Sequence, residues 1–360
     1  MTNNIRNLKK FWKNKRVFLT GHTGFKGSWF SLMLNLLGAK VYGYSLKPNN
    51  KLNLYNLFKL KNNIKSSVIG DIRDYNKLKQ SLLKAAPDFV VHMAAQPLVL
   101  DSYDLPKYTY EVNTIGTLNI LNIILETNIL KHNLIITTDK VYDNNNKNIY
   151  HKEIDKLGGN DPYSSSKACA ELVTQAYNKS FFKKKNIFTV TARAGNIIGG
   201  GDFSKNRLFP DYFRSLSGDK KMTLRNPKSI RPWQYVLDPL YGYLLILMRI
   251  HNKKNFVKEP YFNFGPKKIN NVKVEYAIDL INREFKNSVK IIKKKIKNKK
   301  YETQVLMLNS NKSKKILKWE SKINIQNSIK FIANWYKHFL SNKDILKFSK
   351  KQITTYLDKF

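Results

Sequence analysis

Short apolar runs alternate with longer amphipathic stretches over the first half of the chain. Arg16-Val17-Phe18-Leu19-Thr20 reads as a buried strand, and after a glycine turn Ser28 to Leu37 reads as an apolar helix that Gly38 stops. Further strands are expected at Lys40–Ser45, at Ser66–Gly70, from Asp88 towards Gln96, at Leu134–Ile136 and at Ile187–Ala192. Helices are expected at Tyr75–Ala86, at Pro106–Glu126 and from Asp161 onward. Strand and helix in strict alternation predict a parallel sheet with helices on both faces, and sites in such sheets lie at the carboxyl ends of the strands. Beyond Asn196 the pattern loosens. Helices are expected there at Asp238–Ile250, Val272–Phe285 and Asn327–Phe339, with a short strand at Tyr261–Gly265 and a solvated, lysine-rich strand and loop over Val289–Lys300.

Two stretches at predicted strand ends carry chemistry. The first is Gly21-His22-Thr23-Gly24-Phe25-Lys26-Gly27, between a strand and a helix. Glycines there let the backbone approach a pyrophosphate, and the helix N-terminus supplies N–H donors. This context predicts a dinucleotide site in a Rossmann-type, doubly wound parallel sheet. The second strand ends in Ser45-Leu46-Lys47 with no acid for an adenosine ribose, which leaves NAD and NADP both open at this point. Asp71-Ile72 ends the third strand, where the carboxylate suits an adenine amino group, and Ala94-Ala95-Gln96 places small residues beside the cofactor.

The second stretch runs from Leu134 to Glu171. Its strand ends in Thr138-Asp139-Lys140, and Asp161-Pro162 then caps and starts a helix bearing Tyr163 and Lys167 four residues apart on one face. A lysine beside a phenol, with the helix N-terminus adding positive potential, favours the phenolate, a general base for a hydroxyl. Alone, such a pair is more often surface decoration; its surroundings give it weight. Arg231-Pro232-Trp233-Gln234 adds a guanidinium and an aromatic face suited to a diphosphate and a base, although a structural arginine beside a packed tryptophan reads equally well from spacing.

Composition changes this picture little. The chain has 360 residues, 42% hydrophobic and 12% aromatic, enough for a large core in one domain or two intimate ones. No apolar run approaches a membrane span, and no apolar stretch follows the basic N-terminus as a secretory signal would. The single cysteine, Cys169, excludes an internal disulfide and reads as a small buried hydrophobe, so a cytoplasmic setting is expected. The net charge of +40 would suit nucleic acid, but the lysines are spread along the chain without a recognised binding module, so compositional drift is preferred. No metal site is expected.

Assembled, these residues resemble the extended short-chain dehydrogenase/reductases that act on nucleotide sugars and, within them, the CDP-glucose 4,6-dehydratases. The resemblance spans Phe11 to Tyr336 and rests on Leu19 to Trp29, Ala94 to Val99, Thr137-Thr138-Asp139-Lys140, Asp161 to Leu172, Arg193-Ala194-Gly195-Asn196 and Arg231 to Gln234. Asp139-Lys140 matters most, because the dTDP-glucose and GDP-mannose dehydratases carry Asp-Glu there. Val141, Asp143 and Lys318 depart from the pattern without removing a catalytic group.

The resemblance implies NAD as a cofactor reduced and reoxidised in each turnover, bound through Gly21, Thr23, Gly24, Phe25, Lys26, Gly27, Asp71, Ile72, Ala94, Ala95, Gln96, Asn113, Tyr163 and Lys167. Tyr163 would deprotonate the glucose 4-hydroxyl, assisted by Lys167, and Thr138 would hydrogen-bond the reacting oxygen. Asp139 would protonate the departing 6-hydroxyl, and Lys140 would act at C5 as base or as electrostatic stabiliser. Asn196, Arg207, Arg231 and Gln234 would hold CDP-glucose. A homodimer through the Pro106–Glu126 helix and the helix from Asp161 is expected, as are residues 1–195 (rejoined by about 232–266) for NAD and 196–360 mainly for the nucleotide sugar. The family implies a role in making a deoxysugar or dideoxysugar for a surface polysaccharide. A 4-epimerase would not need the Asp139-Lys140 pair, a non-catalytic NAD-binding protein would not need Tyr163 and Lys167, and a nucleic-acid protein rests on charge alone.

Overall fold

The computed structural model describes residues 3–48, 51–144, 149–252, 260–267, 270–294 and 305–359. The strands are β1 (Arg16–Thr20), β2 (Lys40–Ser45), β3 (Ser66–Ile69), β4 (Phe89–His92), β5 (His132–Ile136) and β6 (Phe188–Ala194), joined by an edge strand at Tyr261–Phe264. They form one seven-stranded sheet in the order Tyr261–Phe264, β6, β5, β4, β1, β2, β3, with every pair parallel. Successive side chains alternate between two cores. Val17, Leu19, Val91, Leu134 and Val190 face the helices Phe25–Leu36 and Leu237–Asn252, while Phe18, Val90 and Ile135 face Tyr75–Ala85 and Gly116–Thr127. Each of these side chains, once buried, contributes about 1.5–3 kcal/mol. The chain thus has the expected doubly wound architecture.

Several boundaries move for physical reasons. The helix after the glycine turn starts at Phe25 rather than Ser28, because Gly24 is extended and hands its carbonyl to the Ser28 N–H. The expected Pro106–Glu126 helix is interrupted by a π-turn at Glu111–Ile115 that holds the buried Asn113, and it ends at Thr127. Strand β6 runs on to Ala194, so Arg193 lies inside the sheet. Among the helices that the sequence reading passes over are Leu208–Ser217 and the two terminal ones. Asn3–Trp12 hides its pattern in a polar stretch whose only stripe is Ile5, Leu8 and Trp12, and it packs against the C-terminal helix, Ile345–Lys359. Cys169 is half-buried rather than buried. In the lysine-rich stretch, Lys290–Lys293 pairs in parallel with Lys221–Leu224; the segment from 295 lies outside the described residues.

Asp238, at the start of the Leu237–Asn252 helix, pins the C-terminal segment. Its carboxylate accepts from Ser321 Oγ at 2.6 Å and Tyr356 Oη at 2.7 Å, and from the Lys322 and Ile323 N–H groups. Among the described residues no helix is long and apolar enough to cross a membrane, and no group of three or more metal-ligating side chains converges.

Candidate active site

The glycine turn leaves no room for a side chain at Gly21 or Gly27. Gly21 sits at φ 77°, and a Cβ there would lie 2.7 Å from the Ala94 nitrogen. A Cβ on Gly27 would come within 2.0 Å of the Gly21 carbonyl oxygen, so strand and helix can approach only through glycine. Gly24 precedes the helix with no capping side chain, which leaves the first helical N–H groups free for an anion. Thr23 closes the turn sideways by bonding Ser45 Oγ at 2.8 Å and the Leu46 carbonyl at 2.9 Å. This cradle fits a dinucleotide pyrophosphate.

Along the same edge, Asp71 turns its carboxylate to Arg73 at 2.8 Å, and Arg73 also meets Glu111 at 2.8 Å. Ile72 is buried. Gln96 and Asn113 spend their side chains on the protein itself. Asn113 accepts from the Gln96 N–H and donates to the Gln96 carbonyl and Ser166 Oγ, and Gln96 bonds Thr109 and both polar backbone groups of Leu98. They fix the loop holding Ala94 and Ala95.

A cavity of about 340 Å³ opens at the carboxyl ends of β5 and β6. Phe25, Lys26, Thr138, Asp139, Lys140, Tyr163, Asn196, Arg207 and Arg231 all line it, drawn from segments up to 206 positions apart. Gln234 does not line it. Expected at the substrate, it is wholly buried with both side-chain polar atoms unpartnered, and its backbone N–H is fixed to the Asn196 carbonyl. Residues the sequence reading passed over also form the wall, notably Phe209, Leu224 and Asn226; the four-residue strand at Lys221–Leu224 is too short for its alternation to stand out.

Thr138 caps the short turn Asp139–Val141. Its hydroxyl donates to Asp139 Oδ1 at 3.0 Å and accepts from the Lys140 N–H at 3.4 Å, and Lys140 Nζ reaches the same Oδ1 at 3.3 Å. Asp139 Oδ2 is buried and unpartnered. A Cβ on Gly195 would stand 2.9 Å from it, so the glycine in Arg193-Ala194-Gly195-Asn196 makes room for the carboxylate.

Tyr163 differs from the sequence expectation. Burial pushes its phenol up to about 12; the Thr138 hydrogen bond and the Arg207 charge pull the other way, and Asp139 opposes them. Lys167 donates to the Ile136 carbonyl at 2.9 Å, and burial, helped by the nearby Lys26 charge, lowers it to about 7. Removal from water also lowers Lys26, to about 8, with Arg207 acting the same way and Asp139 against. Arg207 is held by Asp202 at 2.9 Å, a partner that outweighs the cost of burial and raises its pKa.

Behind this wall lies a buried ion pair. Arg193 grips Glu171 with Nε at 3.0 Å and Nη2 at 2.8 Å, while Thr137 Oγ1 donates to Glu171 at 2.5 Å and Thr191 at 2.8 Å. Arg193 Nη1 also donates to the Tyr142 phenol and the Glu153 carbonyl. Glu171 stands on the Tyr163 helix and Thr137 precedes Thr138, so the pair ties the two reactive segments together.

A seven-stranded parallel sheet with a glycine cradle at its first turn and Tyr163 and Lys167 on one helix beside the cavity defines a dinucleotide-binding enzyme of the short-chain dehydrogenase/reductase class. A family model described as GDP-mannose 4,6 dehydratase matches residues 18–332, and the chain belongs to that family. The CDP-glucose 4,6-dehydratase of Salmonella typhimurium is 40% identical over 354 residues, which cover 97% of this chain and 98% of that protein. A UDP-glucose 4-epimerase of Mycoplasma genitalium is 24% identical over 91% of this chain and 98% of its own. Among solved structures, the dTDP-glucose 4,6-dehydratase of Bacillus anthracis in complex with NAD superposes with a TM-score of 0.75 at 22% identity, covering 93% of this chain and 99% of that one. UDP-glucose 4-epimerase of Thermotoga maritima with UDP-glucose reaches 0.78 at 18%, covering 90% and 99%. These two likenesses speak to the fold.

Proposed function

We propose that the chain dehydrates CDP-D-glucose to CDP-4-dehydro-6-deoxy-D-glucose with NAD as its cofactor. The observation that carries the chemistry is the seating of Asp139 and Lys140 beside Thr138 and Tyr163 in one cavity wall, an acid–base pair that a 4-epimerase does not need. The full-length similarity to the Salmonella CDP-glucose enzyme supports the choice of nucleotide.

Gly21, Gly24, Phe25, Lys26 and Gly27 would hold the pyrophosphate of NAD, Thr23 would brace the turn, and Asp71 and Ile72 would meet the adenine. Ala94 and Ala95 would flank the cofactor, with Gln96 and Asn113 shaping their loop. Bound NAD supplies a site that takes the C4 hydrogen with its electron pair and returns it at C6. Tyr163 would receive the proton of the sugar O4, Thr138 would orient that oxygen, and Lys167 would bind the nicotinamide ribose. Oxidation at C4 acidifies the C5 proton. Lys140 would act on C5, as base or as positive charge beside the enolate, and Asp139 would protonate the departing O6. Asn196, Arg207 and Arg231 would hold the cytidine diphosphate, with Gln234 supporting Asn196 from behind. On this reading residues 1–195, rejoined by 232–266, carry the cofactor and 196–360 mainly the sugar nucleotide, in a cytoplasmic enzyme supplying a surface deoxysugar. Incubation with NAD and CDP-, dTDP-, UDP- or GDP-linked hexoses, read by mass, should show loss of one water from CDP-glucose alone. Loss from another nucleotide instead would refute the base assignment, and isomerisation without mass loss would refute the dehydratase.

The molecule is further proposed to form a homodimer through the Pro106–Thr127 and Pro162–Tyr177 helices. Tyr110, Ile115 and Leu172 are exposed on them, with Leu105 just ahead, apolar surface that a second copy would cover. Sedimentation equilibrium should give twice the 42.0 kDa chain mass, and replacing Leu172 by Asp should weaken the assembly. A monomer at micromolar concentration would rule the interface out.

A further inference from the structure

We propose that the edge of the sheet opposite the cavity is a docking face for an anionic lipid surface, formed where β4, β5 and β6 begin. The inference is independent of the dehydratase reading, because no residue it uses lines the cavity.

Parallel order brings these three strand entries side by side. His132 is in register with Phe188, and Asn133 with Val90, at the spacing of about 4.8 Å between paired strands. The helices Tyr75–Ala85, Gly116–Thr127 and Pro162–Tyr177 share one core on the same face of the sheet and return against the strands, so their C-terminal ends gather at this edge. Lys131 Nζ ties two of the entry loops together, donating to the Asn128 side chain at 3.2 Å and to the Lys185 carbonyl at 3.0 Å. Lys84, Lys179, Lys183, Lys184 and Lys185 are exposed around it. The described acids of these loops and last helical turns are Asp88 and Glu126. Asp88 accepts from the Arg16 N–H at 2.7 Å, and Glu126 pairs with Lys79 at 2.7 Å. Lysines that are scattered in the sequence are thus gathered in space.

Cations at helix C-terminal ends complement the helix dipole, and that alone would account for Lys84 and Lys131. It does not account for the apolar side chains set among them. Ile129 is 60% exposed, Phe181 44% and Leu83 40%, each in or just past the last turn of one of the three helices. Ile129 and Phe181 also lie beyond the ends of the two helices assigned to the dimer. A nucleic-acid strand has no use for aliphatic side chains such as Ile129 and Leu83. An anionic bilayer uses both kinds of group: the ammonium groups stay with the headgroups, while the apolar side chains reach the acyl boundary. Docked in this way, the molecule keeps its cavity, at the carboxyl ends of the strands, open to water.

Co-sedimentation of the full chain with vesicles of equal parts phosphatidylglycerol and phosphatidylcholine tests this. At about 100 mM salt wild type should bind them and should not bind phosphatidylcholine alone, and raising the salt to about 1 M should loosen the complex. Lys183→Gln, Lys184→Gln and Lys185→Gln together should weaken binding about 100-fold. Ile129→Ser should weaken it about 10-fold. Lys47→Gln, Lys107→Gln and Lys152→Gln together remove the same charge from exposed positions near the other edge, and should change binding by less than about threefold. Failure of wild type to bind the mixed vesicles, equal binding to phosphatidylcholine alone, or equal weakening by the two triple variants would overturn the face. Tighter binding to single-stranded RNA than to the vesicles, lost with the Lys183–Lys185 changes but indifferent to Ile129→Ser, would overturn the lipid assignment in favour of nucleic acid.

Discussion

Replacing Asp139 by asparagine should stop water loss while C4 oxidation continues. Asparagine keeps the shape beside Gly195 and can still accept from Thr138, so the fold and the sugar pose survive, but it holds no proton for O6. Loss of a positioned general acid costs about 100- to 10,000-fold in the step it serves. The expected signature is reduced nicotinamide accumulating with CDP-glucose while the mass of the sugar nucleotide stays free of the loss of one water. Lys140→Met should resemble it in halting dehydration while C4 oxidation continues. Dehydration at the wild-type rate in Asp139→Asn would remove Asp139 from the mechanism and the cavity wall from its assigned chemistry.

Much of this site could be read from the sequence because its parts sit at strand ends, where sequence and space coincide. The glycine turn, Thr138-Asp139-Lys140 and the capped Tyr163 helix are each contiguous and each follows an apolar run. What could not be read is what packing across long separations decides. The burial of Gln234 follows from pairing of its segment with Asn196, 38 positions earlier, and no local pattern signals it. The state of Tyr163 is similar. Four-residue spacing places Lys167 on the same helix face, but the Ile136 carbonyl captures its ammonium, and burial then dominates the phenol. The terminal helices were missed because each covers apolar surface that only the other helps define. The space at Gly195 is legible only once Asp139 is seen to occupy it.

The largest stability effect is expected at Glu171. Burial pushes its carboxyl up, but the Arg193 charge and hydrogen bonds from Arg193, Thr137 and Thr191 outweigh this and hold it below the ordinary carboxylate range. Glu171→Gln would leave the Arg193 guanidinium charged, buried and without its counter-ion, a change that costs about 3–5 kcal/mol. Because the folded pKa lies below the unfolded one, the pair's contribution is complete above the unfolded value, about 4.3, and fades as pH falls through the folded value. The urea midpoint of the variant should therefore lie well below that of wild type at pH 7, and the gap should narrow as the medium is acidified below about pH 4. A Glu171→Met, Arg193→Met double variant should lose less than either single change, since no buried charge is stranded. Activity should respond as well. Thr137 would exchange a charged acceptor for a weaker one at the base of the Thr138-Asp139 turn, so kcat should fall more than the substrate KM rises. Equal stability of Glu171→Gln and wild type at pH 7 would mean that water or a displaced side chain compensates Arg193, and the two reactive segments would then be held together by packing alone.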